Sequence, residues 1–177
     1  VLIIANTGKP EASELAAEIE AYLTDEGIKS VVFTYDGTPV TDPPEKRFDL
    51  AISLGGDGTV LFASRILSSH TVPILPVNLG DFGFITEVTR YEWRDAFEKY
   101  RQGKIDAGER LILEVGVVRR GECISSFVGL NDAVISAGGI SKIVNLTVHL
   151  GEQFLGSYRA DGIIVATPTG STAYSAA

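Results

Sequence analysis

Methionine is absent from this chain of 177 residues, cysteine occurs once, at Cys123, and histidine twice, at His70 and His149. A single thiol forms no internal disulfide, and two separated imidazoles make no Cys/His metal cluster, so a reducing cytoplasm is the expected home. The missing methionine points to a trimmed natural start. No apolar run approaches the length of a membrane span, and Val1-Leu2-Ile3-Ile4-Ala5 is too short for a signal segment and lacks a basic lead, which predicts a soluble protein. Positive charge is scarce as well. Against 23 Asp and Glu stand 15 Lys and Arg, a formal charge of -8, and a nucleic-acid binder normally needs a basic face to displace counterions from phosphates. A small anionic ligand stays open wherever a few cations converge.

What is present is a globular composition, 45% hydrophobic and 21% charged, long enough for one domain or a domain plus part of another. Strand-like runs at 1–5, 31–33, 50–54 and 74–77 alternate with helical patterns. Over 10–26, Ala12, Leu15, Ala16, Ile19, Tyr22 and Leu23 fall at amphipathic spacing, and Gly27 supplies the stop. A helix over 60–67 with Thr59 as its N-cap and another around Trp93, Ala96, Phe97 and Tyr100 complete the pattern. The prolines at 39, 43 and 44 make 36–48 a loop. Alternation of this kind predicts a parallel α/β layer.

Beyond residue 110 helical periodicity disappears. Runs at 111–118, 123–128, 133–136, 143–150, 153–158 and 163–166 read as strands, separated by Arg120-Gly121, Gly138-Gly139 and Gly151-Glu152, and their short spacing predicts antiparallel pairing. The boundary falls near 105–110, giving an α/β domain at 1–106 and a β-rich domain at 107–177. The last stretch, from Thr167 to Ser175, reads as a hydroxyl-capped loop entering a helix, with only Ala176 and Ala177 left. The expectation is a β-rich domain that is incomplete at its C-terminal end.

The chemistry concentrates at Gly55-Gly56-Asp57-Gly58-Thr59, directly behind the apolar run Leu50-Ala51-Ile52-Ser53-Leu54. Three glycines allow positive φ and let backbone N–H groups approach a phosphoryl group without hindrance from Cβ. Asp57 is the one side chain of the turn that accepts a proton or holds a cation. No Walker A sequence and no Gly-x-Gly-x-x-Gly occur, so a nucleotide is held differently from either of those designs. Cys123, both histidines and Trp93 read as structural, with Cys123 a small buried side chain on a strand and Phe84 a core residue.

Gly55 to Thr59, Asn78-Leu79-Gly80-Asp81-Phe82-Gly83-Phe84, Asn131-Asp132 and Asp161-Gly162-Ile163-Ile164 running into Thr167 to Ser175 resemble, in this order and spacing, the NAD kinase family. The resemblance implies a nucleotide-binding α/β domain joined to a β-rich domain. It implies transfer of the γ-phosphoryl group of ATP, or of inorganic polyphosphate, to the 2′-hydroxyl of the adenosine ribose of NAD, with Mg²⁺ as the divalent metal and a homodimer or homotetramer as the assembly. Asp57 then becomes the candidate base at the hydroxyl, with metal binding as its rival role. Gly55, Gly56, Gly58 and Thr59 surround it.

By the same resemblance Asn78, Gly80 and Gly83 shape the nucleotide pocket, Asn131 and Asp132 hold ribose hydroxyls or the adenine end of NAD, and Asp161 serves the nicotinamide side. The family usually has Glu where Asp132 stands. Thr169, Thr172, Ala173 and Tyr174 match positions lining the adenosine pocket, Ser175, Ala176 and Ala177 continue it, and Lys142 and Arg159 match basic positions near the NAD phosphates or ribose. Two other classes share part of these features: a lipid or sphingoid kinase, which has the Gly-Gly-Asp-Gly-Thr turn, and a non-catalytic NAD-binding module.

Overall fold

In the computed structural model the described residues are 1–38, 47–80, 83–138 and 143–176. They form two compact units, Val1–Glu109 and Arg110–Ala177. The 36–48 loop expectation lies largely outside the described residues, as do Asp81, Phe82, Gly139, Lys142 and Ala177.

The first unit opens with β1 (Leu2–Asn6), α1 (Pro10–Asp25) and β2 (Val31–Tyr35). β3 (Ala51–Gly55), α2 (Asp57–Ile66), β4 (Ile74–Asn78), β5 (Val88–Thr89) and α3 (Trp93–Arg101) follow. All five strands are parallel, in the order β2-β1-β3-β4-β5. Side chains alternate across a strand, and β1 shows both outcomes. Ile3 and Ala5 join a core with Ala12, Leu15, Ile19 and Leu23 of α1 and Trp93 and Phe97 of α3. Leu2 and Ile4 turn to the other face, against Phe62, Ala63 and Leu67. Helices on both faces explain why β1 and β3 are buried almost throughout and read as continuous apolar runs.

Local sequence accounts for the helix ends. Pro10 begins α1, where its missing N–H costs nothing. Gly27, at φ +71, lets the chain leave the helix in the left-handed region, and Ile28 N–H closes back on Leu23 O at 2.7 Å. The two-residue β5 escapes sequence reading because no periodicity can be seen over such a length.

The second unit consists of β6 (Leu113–Arg119), β7 (Glu122–Gly129), β8 (Asp132–Ser136), β9 (Val144–Leu150), β10 (Gln153–Ala160) and β11 (Gly162–Ala166). They pair antiparallel as β6-β7, β9-β10 and β8-β11. Arg120 and Gly121, both at positive φ, make the β6-β7 turn, and Gly151 at φ +58 makes that of β9-β10. Non-neighbours β8 and β11 pair around the intervening hairpin. The expected helix entry after Thr167 is instead two short 3₁₀ turns, Gly170–Thr172 and Tyr174–Ala176. Ser171 and Thr172 hydroxyls turn back onto the carbonyls of Pro168 and Thr169, an alternative to capping that such residues readily adopt.

Cys123 is exposed, not buried. Its strand belongs to a two-stranded sheet, so nothing within the pair covers it. Among the described residues no helix is long and apolar enough to cross a membrane.

Candidate functional site

In an open parallel sheet, ligands bind outside the carboxyl ends of the strands, where the strand order reverses direction. Here the chain runs from β1 outward to β2, then returns to β3 and proceeds the other way through β4 to β5. The reversal lies between β1 and β3. Gly55 ends β3 and Gly56 caps α2, so the glycine turn occupies this crevice.

Positive φ is not what the glycines supply. None of Gly55, Gly56 and Gly58 belongs to the residues in the left-handed region, and Gly56 is extended at φ -124, ψ -164. They supply room. A Cβ on Gly55 would meet Thr59 Oγ1 at 1.9 Å, whereas one on Gly56 or Gly58 would touch nothing within 4 Å. The first glycine therefore admits Thr59, and the other two keep the helix entrance bare, where the first N–H groups of α2 have no carbonyl of their own helix to bind.

Thr59 is not the N-cap. It lies within α2, 1% exposed, and its Oγ1 accepts a hydrogen bond from Tyr35 Oη at 3.3 Å. α2 starts three residues earlier than expected because Asp57, Gly58 and Thr59 already take helical geometry, with Thr59 N–H donating to Gly56 O at 2.9 Å.

Asp57 is the first residue of α2, and its carboxylate organises the loop after β4. Oδ2 accepts Phe84 N–H at 2.8 Å, while Oδ1 accepts Ile85 N–H at 3.2 Å and Thr86 Oγ1–H at 2.9 Å. A carboxylate offers about four acceptor positions, two on each oxygen. Oδ1 is filled by two donors, and among the described residues Oδ2 has one, which leaves it a position for a proton or a cation. Gly83 makes the contact feasible, since a Cβ there would lie 2.0 Å from Oδ1 and 2.5 Å from Thr86 Oγ1. Sequence reading found Asp57 but not Thr86 or the two N–H groups, which carry no side-chain signal.

Asn78, 4% exposed, ends β4 and accepts Gly80 N–H through Oδ1 at 2.9 Å, and Leu79 N–H donates to Gly55 O at 2.8 Å. These bonds seat the loop after β4 on the end of β3. Phe84 is 77% exposed and not a core residue. Its N–H is held by Asp57, while its side chain stays exposed. Among the described residues no cluster of three or more Asp, Glu, His or Cys could hold a metal ion.

In the second unit Asn131 and Asp132 stand where β7 passes into β8. Thr167 N–H donates to Asn131 O at 2.8 Å, and the buried Thr167 hydroxyl bridges Leu130 O to Gly170 N–H. A Cβ on Gly170 would meet Asn131 O at 2.1 Å, so only glycine permits this approach. The structure thus brings Asn131 and Asp132 together with the segment from Thr167 to Gly170. Thr169 accepts a bond from Arg110 Nη1 at 3.3 Å, and Ser175 Oγ donates to Gly170 O at 3.0 Å. Thr172 and Tyr174 are exposed and Ala173 half-buried. Asp161 and Arg159 are not part of this group. Gly162 pairs with Ser136 and Ala166 with Asp132, so Asp161 lies at the far end of the β8-β11 pair, roughly 15 Å away at the usual rise per residue.

The N-terminal domain of ATP-NAD kinases matches residues 34–105, and the C-terminal domain of the same enzymes matches residues 130–177. An NAD kinase of Treponema denticola is 45% identical over all 177 residues. This chain belongs to the NAD kinase family. It spans 62% of the length of that Treponema protein. A crystal structure of yeast NADH kinase complexed with NADH matches with a TM-score of 0.80 at 27% identity, covering 99% of this chain and 59% of the yeast one. An NAD kinase from Archaeoglobus fulgidus in complex with ATP shares the fold, with a TM-score of 0.71 at 20% identity over 98% of this chain and 63% of its own. Within the NAD kinase family, then, the turn at Asp57 falls in the N-terminal domain, and Asn131 to Ser175 fall in the C-terminal one.

Proposed function

We propose that the protein transfers the γ-phosphoryl group of ATP to the 2′-hydroxyl of the adenosine ribose of NAD, giving NADP, with Asp57 as the base at the reacting hydroxyl. The observation that carries the reading is the state of the Asp57 carboxylate. Three donors from the loop after β4 fix its orientation, and among the described residues Oδ2 takes only one of them, with an acceptor position to spare. Phosphoryl transfer asks the protein mainly for alignment and charge neutralisation. A fixed carboxylate aligns the hydroxyl. As the O2′–Pγ bond forms and the bond from Pγ to the β-phosphate oxygen breaks, the electron pair leaves with ADP and the hydroxyl proton passes to Oδ2.

The remaining roles divide by unit. The bare entrance of α2 at Gly56 and Gly58 receives the phosphates being transferred. Phe84 gives a flat apolar face beside Asp57 for a base. Asn131 and Asp132 offer an amide and a carboxylate for ribose hydroxyls, with Thr169, Thr172, Ala173, Tyr174 and Ser175 forming the adjoining wall and Ala176 and Ala177 extending it. Asp161, with Arg159 nearby and Lys142 outside the described residues, serves the nicotinamide end. Mg²⁺ fits as an ion carried by the triphosphate, because Asp57 belongs to no acidic cluster among the described residues and Mg²⁺ commonly binds through one or two carboxylates plus phosphates. It would supply charge neutralisation at the phosphates. Inorganic polyphosphate is a second possible donor. A cytoplasmic homodimer or homotetramer completes the reading.

The full-length protein incubated with NAD, Mg²⁺ and ATP is expected to accumulate NADP, read by a dehydrogenase specific for NADP. Phosphorylation of diacylglycerol or a sphingoid base in its place would assign the wrong acceptor. Calorimetric binding of NAD without turnover would make the protein a binding module.

A further inference from the structure

The loop from β1 to α1 carries a lysine that no motif singles out. Asn6 Oδ1 accepts Gly8 N–H at 2.9 Å, Lys9 N–H donates to Asn6 O at 3.0 Å, and Thr7 is tied through N–H and Oγ1 to Tyr35 O. Lys9 is the N-cap residue of α1, in extended geometry at φ -117, ψ 113. The ammonium ends beside the loop after β4, where a methyl carbon built on Gly80 would lie 2.8 Å from Nζ.

That endpoint is informative because β3 lies between β1 and β4. A side chain that starts after β1 and finishes beside Gly80 crosses the carboxyl end of β3, where Gly55 gives way to Gly56 and Asp57. Leu79 N–H on Gly55 O fixes Gly80 against the same strand end. The described ion pairs are Lys99 with Asp95 and Arg101 with Glu26 and Glu98, so Lys9 forms none with a described carboxylate. A lysine that reaches past the end of β3 to Gly80 and has no carboxylate partner among the described residues, in a chain of net charge -8, is placed to meet an anion.

We propose that Lys9 binds the phosphoryl donor, its ammonium pairing with the terminal phosphate oxygens of ATP or of a polyphosphate as the γ-group transfers. The inference rests on the kinase reading above and adds a residue to it. Asp57 serves the acceptor hydroxyl from one side of the glycine turn, and Lys9 offsets charge on the donor from the other. Lysine suits this as a compact point charge with rotatable donors, able to follow the phosphate as it moves.

The test uses the full-length protein with Lys9→Met and Lys9→Arg. Lys9→Met is expected to lower kcat/KM for ATP by about tenfold to a hundredfold, the scale on which lost placement and charge act. It should weaken tripolyphosphate binding while leaving the calorimetric Kd for NAD within about twofold, the criterion by which a local effect is separated from a folding defect. Lys9→Arg, which keeps the charge, should recover most of the loss. Turnover in Lys9→Met within twofold of wild type, or a parallel loss of NAD binding, or a Lys9→Arg protein as impaired as Lys9→Met, would each overturn the assignment. Wild-type protein that makes no NADP would instead refute the kinase reading itself.

Discussion

The two units bury their apolar residues on different terms. In the first, strands and helices alternate and the parallel sheet is covered on both faces, so Ile3, Ile4, Leu15, Ile19, Ile52, Leu54 and Val77 are all but removed from solvent. In the second, Leu130 is the one buried hydrophobic side chain among the described residues, while Phe127 is 60%, Leu150 70% and Phe154 59% exposed. The difference follows from architecture. A crossover helix brings its own cover for a strand, whereas a two-stranded antiparallel pair covers neither face and is marginal alone. The residues proposed for chemistry at the glycine turn sit on the self-sufficient unit, and those proposed for holding NAD sit on the open one.

The largest expected effect separates the units physically. Residues 1–109 expressed alone should unfold cooperatively on heating, and residues 110–177 alone should show no cooperative transition in calorimetry. A sharp transition for the second fragment would break the comparison. Point substitutions sharpen it. Ile52→Ala, which leaves a hole between two covered faces, is expected to cost about 2–5 kcal/mol in chemical denaturation. Phe127→Ala and Phe154→Ala, on exposed faces, should stay within about 0.5 kcal/mol.

A third prediction concerns position rather than stability. Gly83→Ala puts a methyl group into the Asp57 carboxylate and must shift either the loop or the acid. A displacement near 1 Å at a reacting group can cost about a hundredfold in rate, so turnover should fall by roughly that factor with little change in the denaturation midpoint. Equal activity would mean that the Asp57 clasp does not set the reaction geometry.

The smallest effect is electrostatic. Hydrogen bonds from Arg101 and then Tyr22 hold the Glu98 carboxyl below its ordinary range, and the same contact raises Tyr22. A carboxylate with a depressed pKa in the folded state contributes stability above its unfolded pKa and loses it as pH falls through the folded one. Stability of the first unit should therefore decline on acidification below the usual glutamate range, and Glu98→Gln should flatten that slope. An unchanged slope of denaturation midpoint against pH would remove Glu98 from the account.

Much of this molecule was legible in its sequence for definite reasons. Short apolar runs mark β1, β3 and β4 and a 3.6-residue period marks α1 and α3, because each buries a face or a whole strand. Asp57 stood out as the one carboxylate in a glycine turn behind an apolar run. The failures share a cause. A hydroxyl before an apolar run reads as a cap, but the missing Cβ of Gly55 gives Thr59 a buried seat instead. Residue type alone points Cys123 and Phe84 to the interior, yet both are exposed, because burial depends on what a neighbouring element covers. The donors on Asp57 come mostly from backbone N–H groups and from Thr86, remote in sequence, which no local pattern reports.

Turnover of the full-length protein with Asp57→Asn, set beside wild type in NAD, Mg²⁺ and ATP, tests the central claim most directly. Asparagine keeps the shape of the side chain and removes its capacity to take a proton. NADP formation should fall at least about a hundredfold, the scale of losing a positioned base. Equal NADP formation by both proteins would contradict the account.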